Sequence, residues 1–153
     1  MRAVCLIDTS VFDEILNIPF KASRHEVIME SLKEKVSNSE ALFLPMATIL
    51  ESGNHVGQNG DGGQRRDCAE RFVKLVKDAI EGNAPFKPLS FLDRDQMFQW
   101  LDKFPNHVGT GSGLGDLSII QDWGRECQKN LGRRVYIWTL DGHLTAYDRA
   151  PTI

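Results

Sequence analysis

Four acidic residues stand where this sequence could do chemistry. Asp8 closes an apolar run at Val4-Cys5-Leu6-Ile7, and Glu51 lies seven residues beyond a second run at Ala41-Leu42-Phe43-Leu44. Asp116 follows the glycine-rich stretch GTGSGLG at 109–115, and Asp141 follows the strongest apolar run, Val135-Tyr136-Ile137-Trp138. Carboxylates gathered in a cleft of low dielectric repel one another by several kcal/mol unless a cation joins them. Oxygen-only ligands suit Mg2+ or Mn2+, hard ions that keep water and phosphate oxygens in their shells. One or two such ions can activate water and stabilise the leaving oxygen of a phosphodiester. The chemistry that fits is metal-dependent phosphodiester hydrolysis.

Each acid alone also has a plainer use. Asp8 and Asp116 can cap the helices that follow them, Glu51 can be a solvated helix acid, and Asp141-Gly142 can be a turn. Only their joint placement singles them out, and that placement depends on the elements between them.

Continuous apolar runs ended by turn residues suit strands buried on both faces of a parallel sheet. The pattern predicts strands at 4–7, 41–44 and 135–138, and a weak strand or loop at 85–92. Val11, Phe12, Ile15 and Leu16 follow the first strand at helical spacing, with Thr9 or Ser10 placed as the cap. A second helix is expected over 24–37, with Ile28, Leu32 and Val36 inward. Pro45 starts a third that runs to about Val56. Gly57–Gly63 (GQNGDGG) reads as a flexible connection. Further helices are expected over 67–80 (Ala69, Phe72, Val73, Val76 and Ile80 inward), over 94–103, and over 116–130 (Leu117, Ile120, Cys127 and Leu131 inward). The glycine loop 109–115 reads as flexibility beside the site. Strands alternating with amphipathic helices imply an α/β domain, a three-layer α/β/α arrangement around a mostly parallel sheet. In such sheets, sites collect outside the carboxyl ends of the strands, where the four acids would project.

Composition narrows the alternatives. A chain of 153 residues suits one domain spanning 1–153, and 41% hydrophobic with 25% charged residues suits a packed globule. The net charge of −3 supplies no bulk positive field, so a polyanion would be held by metal ions or a local patch. No apolar run approaches the ~20 residues that cross a bilayer, and the opening stretch is too short for a signal peptide. Cys5, Cys68 and Cys127 are odd in number and widely spaced, which excludes a disulfide framework and a CxxC metal site and favours a reducing cytoplasm. His25-Glu26 lacks the second histidine of a zinc-protease helix, and no serine nucleophile elbow is present.

The stretches CLIDTSVF, PMATILESGNHV, GLGDLSII and YIWTLDGHLTAYD together resemble the PIN-domain ribonucleases, including the VapC-type toxins of bacterial toxin–antitoxin pairs. The match runs through nearly the whole chain in order, while 57–106 matches nothing specific. The resemblance implies a PIN-like fold and an Mg2+ or Mn2+-dependent ribonuclease. In it, Asp8, Glu51, Asp116 and Asp141 would bind the metal. It also implies a homodimer and a cognate antitoxin protein covering the site. Thr9, Ser10, Asn54, Thr139 and His143 are weaker candidates for contact with substrate. His55 shares the helix face of Glu51 and Asn54, and Asp13, Asp122 and Asp148 are spare acids. Arg125, Lys129, Arg133 and Arg134 cluster in sequence, and Arg71, Lys74 and Lys77 recur along one helix; both sets could meet phosphates or be ordinary solvated faces. Two rival readings remain open from sequence: a PIN-like module that grips RNA or protein without cleaving, and a metal-dependent nuclease or phosphatase on another substrate.

Overall fold

The computed structural model describes residues 2–90, 92–109 and 113–152. Among these residues five strands form one sheet in the order β3-β2-β1-β4-β5: β1 (Val4–Ile7), β2 (Ala41–Leu44), β3 (Phe86–Pro88), β4 (Val135–Trp138) and β5 (Asp148–Arg149). The first four are parallel, and β5 pairs antiparallel with β4. Among the described residues six helices connect them: α1 (Thr9–Leu16), α2 (His25–Ser37), α3 (Met46–Gln58), α4 (Gly62–Glu81), α5 (Arg94–Val108) and α6 (Leu114–Lys129).

The apolar runs behave as continuous burial dictates, because successive side chains feed opposite faces of the sheet. Cys5, Ile7, Leu42, Leu44, Tyr136 and Trp138 pack against Phe12 of α1, Ile28 and Leu32 of α2, Val56 of α3, and Cys68 and Ala79 of α4. Val4, Leu6, Val135 and Ile137 face the other way, onto Ile119 of α6 and Leu144. The architecture is therefore three-layer α/β/α with a mostly parallel sheet.

Several expected boundaries shift. The glycine stretch at 57–63 is not a long flexible link: α3 continues to Gln58 and α4 starts at Gly62. Asp61 accepts from the Gln64 amide while the Gln64 side chain accepts from the Asp61 amide, a capping box that outweighs the glycines. The buried stripe of α4 is Cys68 and Ala79 with Phe72, Leu75 and Val76 packed beside them, so Val73 and Ile80 turn outward. Val36 is exposed in the last turn of α2, and Leu131, 78% exposed, lies beyond the end of α6. The helix expected to stop at 103 runs on to Val108 with Pro105 inside it. Strand β5 is two residues long, too short for periodicity to register.

Candidate active site

The order of the strands brings β1 between β2 and β4, so the segments leaving these three strands start from one edge of the sheet. Asp8 is the residue after β1 and occupies the N-cap position of α1, yet its carboxylate makes no cap hydrogen bond. It is turned toward the site. Its Oδ2 accepts from the Ser10 hydroxyl and from the Thr139 hydroxyl, both at 2.8 Å. The same hydroxyl oxygens accept from the backbone: Ser10 Oγ from the Leu140 amide and Thr139 Oγ1 from the Asp141 amide, each at 2.9 Å. The loop after β4 is thereby tied to Asp8. Asp141 closes a local turn, accepting the His143 amide at 2.9 Å.

Glu51 lies in the second turn of α3, half-buried, and its Oε2 accepts from the Thr9 hydroxyl at 2.9 Å. Thr48, one turn earlier, donates to the Ile7 carbonyl at 2.8 Å and fastens α3 to the end of β1. Asp116 lies in the first turn of α6, whose N-cap is Gly113, so Asp116 is not the cap. Acids in a first turn are favoured by the helix dipole.

Electrostatics tie the group together. Burial, and then the charges of Asp8 and Asp116, push the Glu51 carboxyl above its ordinary range, against the Thr9 hydrogen bond and the field of His55. Burial, and then Asp8 and Asp141, raise Asp116, opposed by His107 and His143. Among the described residues, no three His, Cys, Asp or Glu side chains already form a closed set around one ion. The donor chemistry nevertheless fits a hard divalent cation. All four candidate ligands are carboxylates, two of them are held at defined positions by hydroxyls, and the two whose charge costs most would be relieved by a positive ion. Mg2+ characteristically takes one or two carboxylates and fills its shell with water and phosphate oxygens, which asks less than a protein cage.

Thr9, Ser10 and Thr139 thus spend their hydroxyl protons on Glu51 and Asp8. Asn54 is exposed on α3, and His143 is exposed beside Asp141. His55 turns to Asp13, a buried acid of α1, with 2.7 Å between Nδ1 and Oδ2; Lys21 adds its charge at 3.7 Å. Asp122 is buried and paired with Arg125, and burial raises its carboxyl to about 6. Burial is the largest cause of that rise, and the charges acting on it are those of Arg125, Glu126 and Lys129. Asp148 pairs with Arg134 at the far side of the sheet, which also takes Arg134 out of the basic cluster. Arg71 donates to the Leu16 and Asn17 carbonyls and Lys74 pairs with Asp78, so the α4 stripe is largely committed within the fold.

Gly115 has a role that composition does not reveal. It is helical, in the first turn of α6, and a Cβ there would lie 1.7 Å from Oε1 of Glu51. That is a collision rather than a contact. A side chain there would displace the Glu51 carboxylate, because α6 passes directly over it, with Asp116 the next residue along. Residues 110–112 of the expected glycine loop lie outside the described residues.

Comparison with known proteins bears on the fold. The chain is similar to a chain in the solved structure of FitAB bound to an IR36 DNA fragment. The match covers 94% of this chain and 89% of that one, with a TM-score of 0.57 and 17% sequence identity. The fold is PIN-like. No family model and no curated protein matches the chain. The PIN-like sheet accounts for the placement of the acids, since its central strands deliver Asp8 and Asp141 to one edge and the helices beyond deliver Glu51 and Asp116.

Proposed function

We propose that this protein is an endoribonuclease that hydrolyses RNA phosphodiester bonds with Mg2+ or Mn2+, held by Asp8, Glu51, Asp116 and Asp141. The observation that carries the reading is the electrostatic cost at Glu51 and Asp116, whose carboxyls are raised first by burial and then by the charges of neighbouring acids. A module that only binds has no use for carboxylates that repel one another and would repel RNA as well. A bound divalent ion would supply charge stabilisation at the phosphate and lower the pKa of a coordinated water. The chain's own part is positioning. Ser10 and Thr139 hold the Asp8 carboxylate, Thr9 holds that of Glu51, and Gly115 leaves the space in which Glu51 lies. No side-chain nucleophile is called for. Thr9, Ser10 and Thr139 would act through the acids they hold, and Asn54 and His143 would meet the substrate from the exposed surface of α3 and the turn at Asp141.

The resemblance to VapC-type toxins extends the proposal to a toxin of a toxin–antitoxin pair, with an antitoxin protein over the site and a cytoplasmic homodimer. DNA belongs to the FitAB structure, and here it serves as the competing substrate. No helix among the described residues is long and apolar enough to cross a membrane. The purified protein is expected to cleave RNA in Mg2+ or Mn2+ and to stop in EDTA, read as fragments on a denaturing gel beside a DNA strand of the same sequence. Equal cleavage in EDTA would remove the metal mechanism, and cleavage of DNA alone would move the activity to the other substrate.

A further inference from the structure

A cleft on the α6 face of the sheet lies apart from the acids. It encloses about 730 Å³, within the size range of ligand sites. Ala41 and Phe43 of β2 and Pro88 of β3 line one side, and the last turns of α6 line the other. Arg2, Lys129 and Arg133 all line it, and among the described residues none of the three has a carboxylate within 4.0 Å. Its fourth cation, Arg125, is held by Asp122, and the buried carboxylate of Glu126 accepts from Asn130 at 3.1 Å. The cleft's four cations outnumber the two carboxylates that line it, Asp122 and Glu126, and leave a positive surplus that an anion would satisfy. The helix dipole accounts for Lys129 in the last turn of α6. It does not account for Arg2 or Arg133, which precede β1 and β4.

A second concavity gives the cleft a direction. A groove of about 290 Å³ shares Ser90 and Asp122 with the cleft and reaches Glu51 and Gly115. Leu50, Met97 and Leu114 stand along it, each at least 41% exposed. Exposed apolar side chains gain by being covered, and base faces, which only an unpaired strand offers, are apolar enough to cover them. Helix α6 runs the same way: the thirteen steps from Asp116 to Lys129 span about 20 Å.

We propose that the cleft is a phosphate-binding subsite in which Arg2, Lys129 and Arg133 grip a single RNA strand about 20 Å from the acids, its bases passing along the apolar groove. The proposal rests on the nuclease reading and deepens it, since it selects unpaired RNA long enough to reach both places.

The test is fluorescence anisotropy with a fluorescein-labelled RNA of mixed sequence, about 16 nucleotides long, in EDTA over a salt series. Each phosphate contact to a single strand contributes about 0.7 to the slope of log affinity against log salt. The triple variant Arg2→Ala, Lys129→Ala, Arg133→Ala is therefore expected to lose about 2 from the wild-type slope, and Arg133→Gln alone about 0.7. The labelled duplex is expected to bind more weakly than the strand. The Mn2+-dependent rise in melting temperature serves as the measure of an intact fold and acid site in each variant. Unchanged slopes, no measurable binding by wild type, or a duplex bound as tightly as the strand would overturn the subsite. Reduced slopes in a protein that cleaves no RNA with Mg2+ or Mn2+ would leave the subsite standing and remove the nuclease reading.

Discussion

Asp116→Asn is expected to lower RNA cleavage in Mg2+ or Mn2+ by about a hundredfold or more, the usual scale for removing one preorganised charge from a reacting centre. The substitution keeps the shape of the side chain and removes only its charge. Asp116 makes no cap, since Gly113 holds that position, so the start of α6 does not depend on it. Its carboxyl is raised first by burial and then by Asp8 and Asp141, which marks it as an acid that a cation would relieve. Cleavage rates under single-turnover conditions, taken with circular dichroism spectra, separate lost chemistry from lost structure. Asp148→Asn serves as the comparison, because that acid pairs with Arg134 away from the site and its removal is expected to leave cleavage unchanged. Full activity in Asp116→Asn would take this residue out of the site.

Gly115→Ala is expected to damage activity far more than stability. A methyl group would lie 1.7 Å from Glu51 Oε1, and the carboxylate at the end of a flexible side chain is what must yield. Glu51 would swing away and lose the Thr9 hydrogen bond that holds it. The backbone gains by the exchange, since alanine is favoured over glycine in a helix interior by up to about 1 kcal/mol. Strain from overpacking costs about 1–3 kcal/mol, so the melting temperature should change little. Cleavage should fall about tenfold or more, the order seen when groups that orient metal ligands are disturbed. Unaltered cleavage by a normally folded Gly115→Ala would show that the position of Glu51 does not matter.

The strands at 4–7, 41–44 and 135–138 were legible because continuous apolar runs have few other uses. The acids were legible as residues that follow those strands. Hydrogen bonds between distant segments were not. Nothing in the spacing of Ser10 and Thr139 announces that both hydroxyls meet on Asp8, because that depends on β1 and β4 being neighbours. The Asp13–His55 pair is hidden for the same reason, since it crosses from α1 to α3. The inward stripe of α4 was misplaced where Val73 and Ile80 were counted as core, although the alanine and cysteine positions beside them lie closer to the sheet. Gly115 did leave a signal, a glycine directly before Asp116. The glycines around it made flexibility the simpler reading, and only the crossing of α6 over Glu51 separates the two.

A site of acids that awaits a divalent cation shows itself most directly in thermal melting with and without Mn2+. Glu51 and Asp116 have folded pKa values raised above their unfolded ones. Their contribution to stability is complete below the unfolded carboxylate range and is lost as pH rises through the raised values, so at neutral pH in EDTA both charges cost stability. Asp116→Asn should therefore melt higher than wild type in EDTA. Mn2+ binds the folded site and not the unfolded chain, so a hundredfold excess over the dissociation constant adds about 2.7 kcal/mol. In a domain of this size that raises the wild-type melting temperature by about 5–10 °C, and Asp116→Asn should lose most of the rise. Wild type that ignores Mn2+, together with an Asp116→Asn variant that melts lower in EDTA, would contradict the account and leave the acids as structural groups.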